Sequence, residues 1–358
     1  MIADGISIDH LKREMIRNMN PDKTETSIFI DAETTEMLLS QIAHKELVRK
    51  KLKEFWDTNG EIIVNQYKDL LLPPEHINIS KDAFDEKIKA CKVLIISANS
   101  VEGAIVSHRL IKENNYNKLE AYAIDGQLYQ FATIGTIPVL HIWPTNISSF
   151  TKYGSFRAID AALDRVYPKS VVSVGVAFGI APEKQSLGDV LISKQLVFYD
   201  NYNKVADGKI KLFPQETYIL DAFLQAQLHQ LERKTPPKEI ESFNNELYFG
   251  AMLSGGTVLS DANEKRKLCT AASNLGYSIV GGEMEASGIY YACQGIKNRH
   301  IPFIVIKGIC DWGSEKNGWE TVVNGNCDNE IAKDCVQAFA CDNAFAVMAY
   351  CISRLNME

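Results

Sequence analysis

Long hydrophobic runs are missing from this 358-residue sequence. None approaches the ~18 residues needed to cross a bilayer, and the longest, Val171 to Ala181, is interrupted by Ser and Gly. The first fifteen residues carry charges where a signal peptide needs an apolar stretch, so a cytoplasmic location without a membrane partner is expected. Close cysteine pairs are also missing. The eight cysteines contain no CxxC and the seven histidines no HExxH, so no metal site is expected. The cysteines read instead as small buried hydrophobes kept reduced. Positive charge is in deficit, with 38 Lys and Arg against 45 Asp and Glu for a net −7. That disfavours a nucleic-acid partner, which needs a positive surface to displace counterions from phosphates. Neither GxGxxG with a following acid nor GxxxxGK[ST] occurs, so no dinucleotide or P-loop cofactor site is expected. Ser254 lies in LSGG and not in GxSxG, which leaves a serine-hydrolase elbow unsupported. Internal repeats and low-complexity tracts are absent, and 46% hydrophobic with 23% charged residues is a globular composition.

What is present falls into two stretches. Residues 1–90 read as a mainly helical extension for docking, oligomerisation or regulation. Ala32 to Trp56 is rich in Glu, Lys and Leu, with apolar Met37, Leu38, Ile42, Leu47, Leu52 and Phe55 forming a helical stripe. The paired prolines Pro73-Pro74 end that segment, and a short helix is expected from Asp82 to Ala90. From residue 91 to 358 short apolar strands alternate with helices. Strands are expected near Val93–Ala98, on either side of Gly135, and at 171–177, 189–198, 248–253 and 303–309. Helices are expected at 102–112, 154–166, 217–231, 262–275, 284–294 and 330–355. This pattern predicts an α/β fold with a central mixed sheet flanked by helices. Ligands of such folds sit beyond the carboxyl ends of strands.

Three of those junctions carry acids: Glu102 after VLIISA, Glu283 and Glu285 in GGEMEASG, and Asp311 after VIKGIC. Together they suggest an acid/base site. Glycines in VGVAFG, LSGG and IVGGE would let the backbone approach a ligand closely. His108, His141 and His300 read as structural or surface residues.

Read in order, VVSVGVAFGIAPEKQSLGDVLIS, LSGGTVLSD, GGEMEASGIYYAC and VIKGICDWGSEKNGWE resemble the nucleoside phosphorylase superfamily over about Val93 to Ile352. Its members include purine nucleoside phosphorylases, methylthioadenosine/adenosylhomocysteine nucleosidases and AMP nucleosidases. The set is most similar to the phosphorylase-like, nucleotide-degrading effectors of bacterial antiphage systems. The resemblance implies a nucleoside phosphorylase-like fold, an N-glycosidase acting on a purine nucleotide or nucleoside, a homo-oligomer, and an upstream sensor or activator partner. It implies that Asp311 protonates the leaving base and that Glu285 binds the ribose hydroxyls, with Met284 against the sugar. Ala177, Phe178, Gly179, Val258 and Ser254 would line the rest of the pocket. Glu102 matches the spacing of a water-binding carboxylate, which would repel phosphate and so favours hydrolysis. Phosphate-dependent cleavage and a non-catalytic nucleotide-binding regulator are the alternatives. Arg157 and Lys152, with Arg109 and Lys307, are the candidates to pair with substrate phosphates.

Overall fold

The computed structural model describes residues 32–143, 155–200, 203–204, 210–212, 217–219, 245–256, 259, 262–295, 299–313, 323 and 327–354. The helices are α1 (Ala32–Tyr67), α2 (Lys81–Ala90), α3 (Ser100–Asn114), α4 (Ser155–Leu163), α5 (Ala262–Asn274), α6 (Ala286–Tyr290) and α7 (Asn329–Ile352). The strands are β1 (His76–Asn78), β2 (Val93–Ile96), β3 (Leu119–Ile124), β4 (Gln127–Ile134), β5 (Ile137–Ile142), β6 (Ser170–Gly179) and β7 (Val190–Phe198). After a small ribbon of β8 (Asn203–Lys204) and β9 (Ile210–Lys211) come β10 (Thr217–Ile219), β11 (Leu247–Ser254), β12 (Ile279–Glu283) and β13 (Phe303–Asp311).

One mixed sheet runs β1-β3-β4-β5-β2-β6-β12-β11-β7-β10, and β13 pairs with both β6 and β7. The ladder β6–β12–β11–β7–β13 therefore closes on itself. Every residue of β2 is buried, as expected of a strand covered on both faces by helices. Register in the ring brings the strand ends together. Asp311 of β13 and Gly282 of β12 both lie opposite Phe178 of β6, and Ser254 of β11 lies opposite Glu283 of β12.

Helix α7 is long and apolar enough, by length and composition, to cross a membrane, yet two thirds of its most apolar stretch is buried inside the fold. It packs on β13, β6 and α3, and α1 packs on it. Contact with β13 is tight, because a Cβ at Gly308 would fall 2.0 Å from the Ala340 carbonyl oxygen. The apolar side of α1 faces its own chain: Val48, Leu52, Ile63 and Tyr67 are buried in the same core as the sheet. Two expected helices differ in the structure. Thr217–Ile219, expected to open a helix, is a strand antiparallel to β7, which suits its β-branched and aromatic residues; residues 220–231 lie outside the described residues. The helix expected from 284 begins only at Ala286, and a π turn, Tyr291–Gly295, follows it.

Candidate active site

The site is built around Glu102. Asn99 caps α3, and its side chain accepts the Glu102 N–H at 2.9 Å, which fixes where the helix starts. Glu102 is 1% exposed. Its Oε2 accepts the Ala98 N–H at 2.5 Å and its Oε1 the Val176 N–H at 3.0 Å. The carboxylate lies against Gly175, whose φ is +153° and where a Cβ would stand 2.4 Å from the Glu102 carboxyl carbon. Only glycine leaves that space. Beneath this turn, Ser97, His141, Gln130 and Ser107 form a buried hydrogen-bonded chain. Burial pushes His141 down to about 3, so its ring is neutral, and it is structural as expected.

Lys307 sits in the middle of β13, fully buried, with Nζ 3.5 Å from Glu285 Oε2. Burial alone would lower its pKa. Glu102, Glu285 and Glu283 outweigh that and hold it above the usual lysine range. Burial raises both Glu102 and Glu285 from ordinary carboxylate values, Lys307 opposing in each case, and Glu285 reaches about 7. Two carboxyls and an ammonium are thus buried together, an arrangement able to hold and release a proton. Lys307 was expected to meet substrate phosphates. The structure instead pairs it with carboxylates, because a buried cation needs buried counter-charges. Arg109 is likewise turned away from phosphate duty: its Nε lies 3.0 Å from Asp342 Oδ1 and its Nη2 3.5 Å from Glu113.

Glu283 and Glu285 differ in role. Glu283 Oε2 accepts the N–H groups of Glu285 and Ala286 at 2.9 and 2.8 Å and so shapes the start of α6. Ser254, fully buried, accepts the Ser287 N–H at 2.8 Å and anchors the same turn. Met284 is half-buried beside Glu285. Ala177, Phe178 and Gly179 close β6 on the far side, with Phe178 opposite Asp311. Asp311 ends β13, its Oδ1 accepting the Gly313 N–H at 2.6 Å. Sequence reasoning missed Lys265. It is 4% exposed, donates to the Trp312 carbonyl, and lies 5.8 Å from the Phe178 ring centre on the Asp311 side. Its signal was faint, one lysine in a helix of several. Arg157 is exposed in the first turn of α4, the helix packed against α6. Lys152 and Val258 lie outside the described residues.

A mixed sheet flanked by helices, with carboxylates gathered at its strand ends, defines a nucleoside phosphorylase-like α/β protein. The sequence model of the Phosphorylase superfamily matches residues 154–339, more than half the chain, and the chain belongs to that superfamily. It is similar to ATP nucleosidase Cap17 of Escherichia coli, 25% identical over 203 residues covering 49% of this chain and 39% of that one. It is also similar to a death domain-containing ATP nucleosidase of Amphimedon queenslandica, 25% identical over 254 residues covering 65% and 45%. The chain thus spans less than half the length of these two curated relatives. Among solved structures it is similar to a 5'-methylthioadenosine/S-adenosylhomocysteine nucleosidase from Neisseria meningitidis in complex with methylthio-immucillin-A. That match has a TM-score of 0.55 and 17% identity, covering 74% of this chain and 99% of that one.

Proposed function

We propose that the chain hydrolyses the N-glycosidic bond of a purine nucleotide, adenine-based, releasing free base and ribose phosphate. The observation that carries this reading is the buried Glu102, fixed by two backbone N–H groups and sharing Lys307 with Glu285. A raised pKa makes Glu102 a stronger base toward water. Water attacks C1′ as the C1′–N9 bond breaks, Glu102 takes the water proton, and Asp311 supplies one to N7 of the departing base. Glu285 accepts hydrogen bonds from the ribose hydroxyls. A phosphate nucleophile would have to approach two buried carboxyls whose one ammonium is already shared, so hydrolysis is favoured over phosphorolysis.

Similarity to two ATP nucleosidases supports a nucleotide over a nucleoside. Depletion of cellular nucleotide by an antiphage effector is the biological reading that follows. Arg157, exposed beside the α6 turn, would pair with the phosphate chain. The experiment is incubation of the full chain with ATP, AMP and adenosine, with and without inorganic phosphate, followed by chromatography for adenine. Phosphate-independent adenine release, faster from the nucleotides and with that preference weakened in Arg157→Ala, is expected. Equal rates on all three would reject the nucleotide preference, and an absolute need for phosphate would reject hydrolysis.

A further inference from the structure

A cavity of about 210 Å³ lies between α1 and α5. It is lined by Ser40, Gln41 and His44 of α1 and by Asn263, Lys265 and Arg266 of α5, and no carboxylate lines it among the described residues. In a chain of net charge −7, a cleft whose charged lining residues are Lys265 and Arg266, beside neutral polar groups and the apolar Ile180, Ala262 and Cys269, is a local reversal of sign. Arg266 bonds neutral oxygens alone, Ser40 Oγ at 2.9 Å and Asn263 Oδ1 at 3.0 Å, and has no carboxylate partner among the described residues. Lys265 is buried, and its ammonium has three N–H donors. One goes to the Trp312 carbonyl, and the others have no hydrogen-bond acceptor among the described residues. Burial pulls the Lys265 pKa down, with Asp311 the first of the groups opposing it, so its charge is incompletely compensated. Ala262 and Asn263 also place the start of a 13-residue helix at the cavity, where backbone N–H groups favour anions.

We propose that this cleft binds an inorganic phosphate or diphosphate group. Its volume is below the ~300–1,000 Å³ of sites for drug-sized ligands, which suits such a group better than a whole nucleotide. Exposed Ser40 marks its mouth. The cleft adjoins the Asp311 and Phe178 end of the active site, whereas Glu102 and Glu285 gather around Lys307, earlier on β13. The site thus borders Asp311 and stands apart from Glu102 and Glu285. Its phosphate would come free from solution, or from the tail of a nucleotide whose base occupies the active site, in which case this cleft and not Arg157 holds that tail.

The test is calorimetric titration of the full chain with sodium diphosphate at low ionic strength. It reads binding directly, so failure of the nucleosidase reading would leave it intact. One site per chain is expected, weakened roughly tenfold or more in both Gln41→Glu and Arg266→Gln, the scale of losing a charged hydrogen bond. Gln41→Glu introduces a carboxylate of the same shape at a partly exposed helical position, and an unchanged melting temperature shows that it folds. Repeating the titration with a saturating carbon-linked purine nucleoside, and then with its triphosphate, separates the sources. Displacement by the triphosphate alone identifies the substrate tail, and displacement by neither identifies a free anion. No saturable binding, binding unaltered in both variants, or displacement by the nucleoside itself would overturn the proposal.

Discussion

Asp311, Glu102 and Glu285 stood out as candidates because each stands where an apolar strand gives way to the next turn. What the sequence did not show is that Glu102 and Glu285 share the buried cation Lys307. A lysine inside FIVIKGICD is a signal in itself: a cation in a strand buried along its length must find buried acids. Asp311→Asn keeps the shape and removes the acid, and base release should fall by ~10²–10⁴. Glu102→Gln should suppress hydrolysis while nucleoside binding persists through Glu285. Rates near wild type from either folded variant, measured as adenine released, would remove that residue from the mechanism. Gly175→Ala is a sharper probe, since it touches no substrate group. Its methyl would stand 2.4 Å from the Glu102 carboxyl carbon, so the carboxylate must move and turnover should drop by an amount comparable to Glu102→Gln. Unchanged turnover in Gly175→Ala would show that Glu102 need not be held where the structure has it.

At the scale of elements, most of the sheet could be read from short apolar runs bounded by turns. β3 was missed although its signal was present, since LEAYAI is followed by Asp125-Gly126, a two-residue turn into β4. The strand at Thr217–Ile219 was lost to a helical-looking continuation. Closure of the ring through β13 rests on long-range pairing that no local pattern encodes. The role of α1 was hidden for the same reason. Its stripe announced a helix with a buried face but not that the face lies against α7. The tie is the Tyr67 hydroxyl, which donates to Asp342 Oδ2 at 2.8 Å, while Arg109 of α3 holds Oδ1. Asp342 thus joins α1 to the helix that begins at the Glu102 turn, and its neighbour Cys341 lies with Sγ 3.9 Å from the Glu102 carbonyl oxygen. Tyr67→Phe leaves a buried carboxylate oxygen without its donor and should cost about 1–3 kcal/mol, read by urea unfolding of the full chain. A loss well below that range would show that α1 is held by its apolar face alone.

For the molecule as a whole, three buried carboxyls make stability depend on pH in an unusual sense. Burial raises Glu285 to about 7 and Asp189 to about 6, and raises Glu102 as well. A carboxyl raised by folding holds its proton more tightly in the folded chain. Its contribution is complete below its unfolded pKa, near 4, and is lost as pH rises through the folded value. His141, lowered by burial, acts oppositely: its contribution is complete above its unfolded pKa and is lost as pH falls toward about 3. Asp189 isolates one member of this set away from Glu102 and Glu285, where it accepts the Ser186 and Glu246 N–H groups. Asp189→Asn should therefore compare more favourably with wild type at about pH 8 than at about pH 5 in melting temperature. The opposite ordering would contradict a raised Asp189.

The account turns on water, activated by Glu102, as the nucleophile that replaces the purine. Mass spectrometry of the sugar product after reaction of the full chain with ATP in water enriched in heavy oxygen addresses this most directly. The account predicts one heavy oxygen on the anomeric carbon, free adenine in equal amount, and no requirement for inorganic phosphate. A sugar product bearing phosphate at the anomeric carbon, unlabelled there, would contradict it.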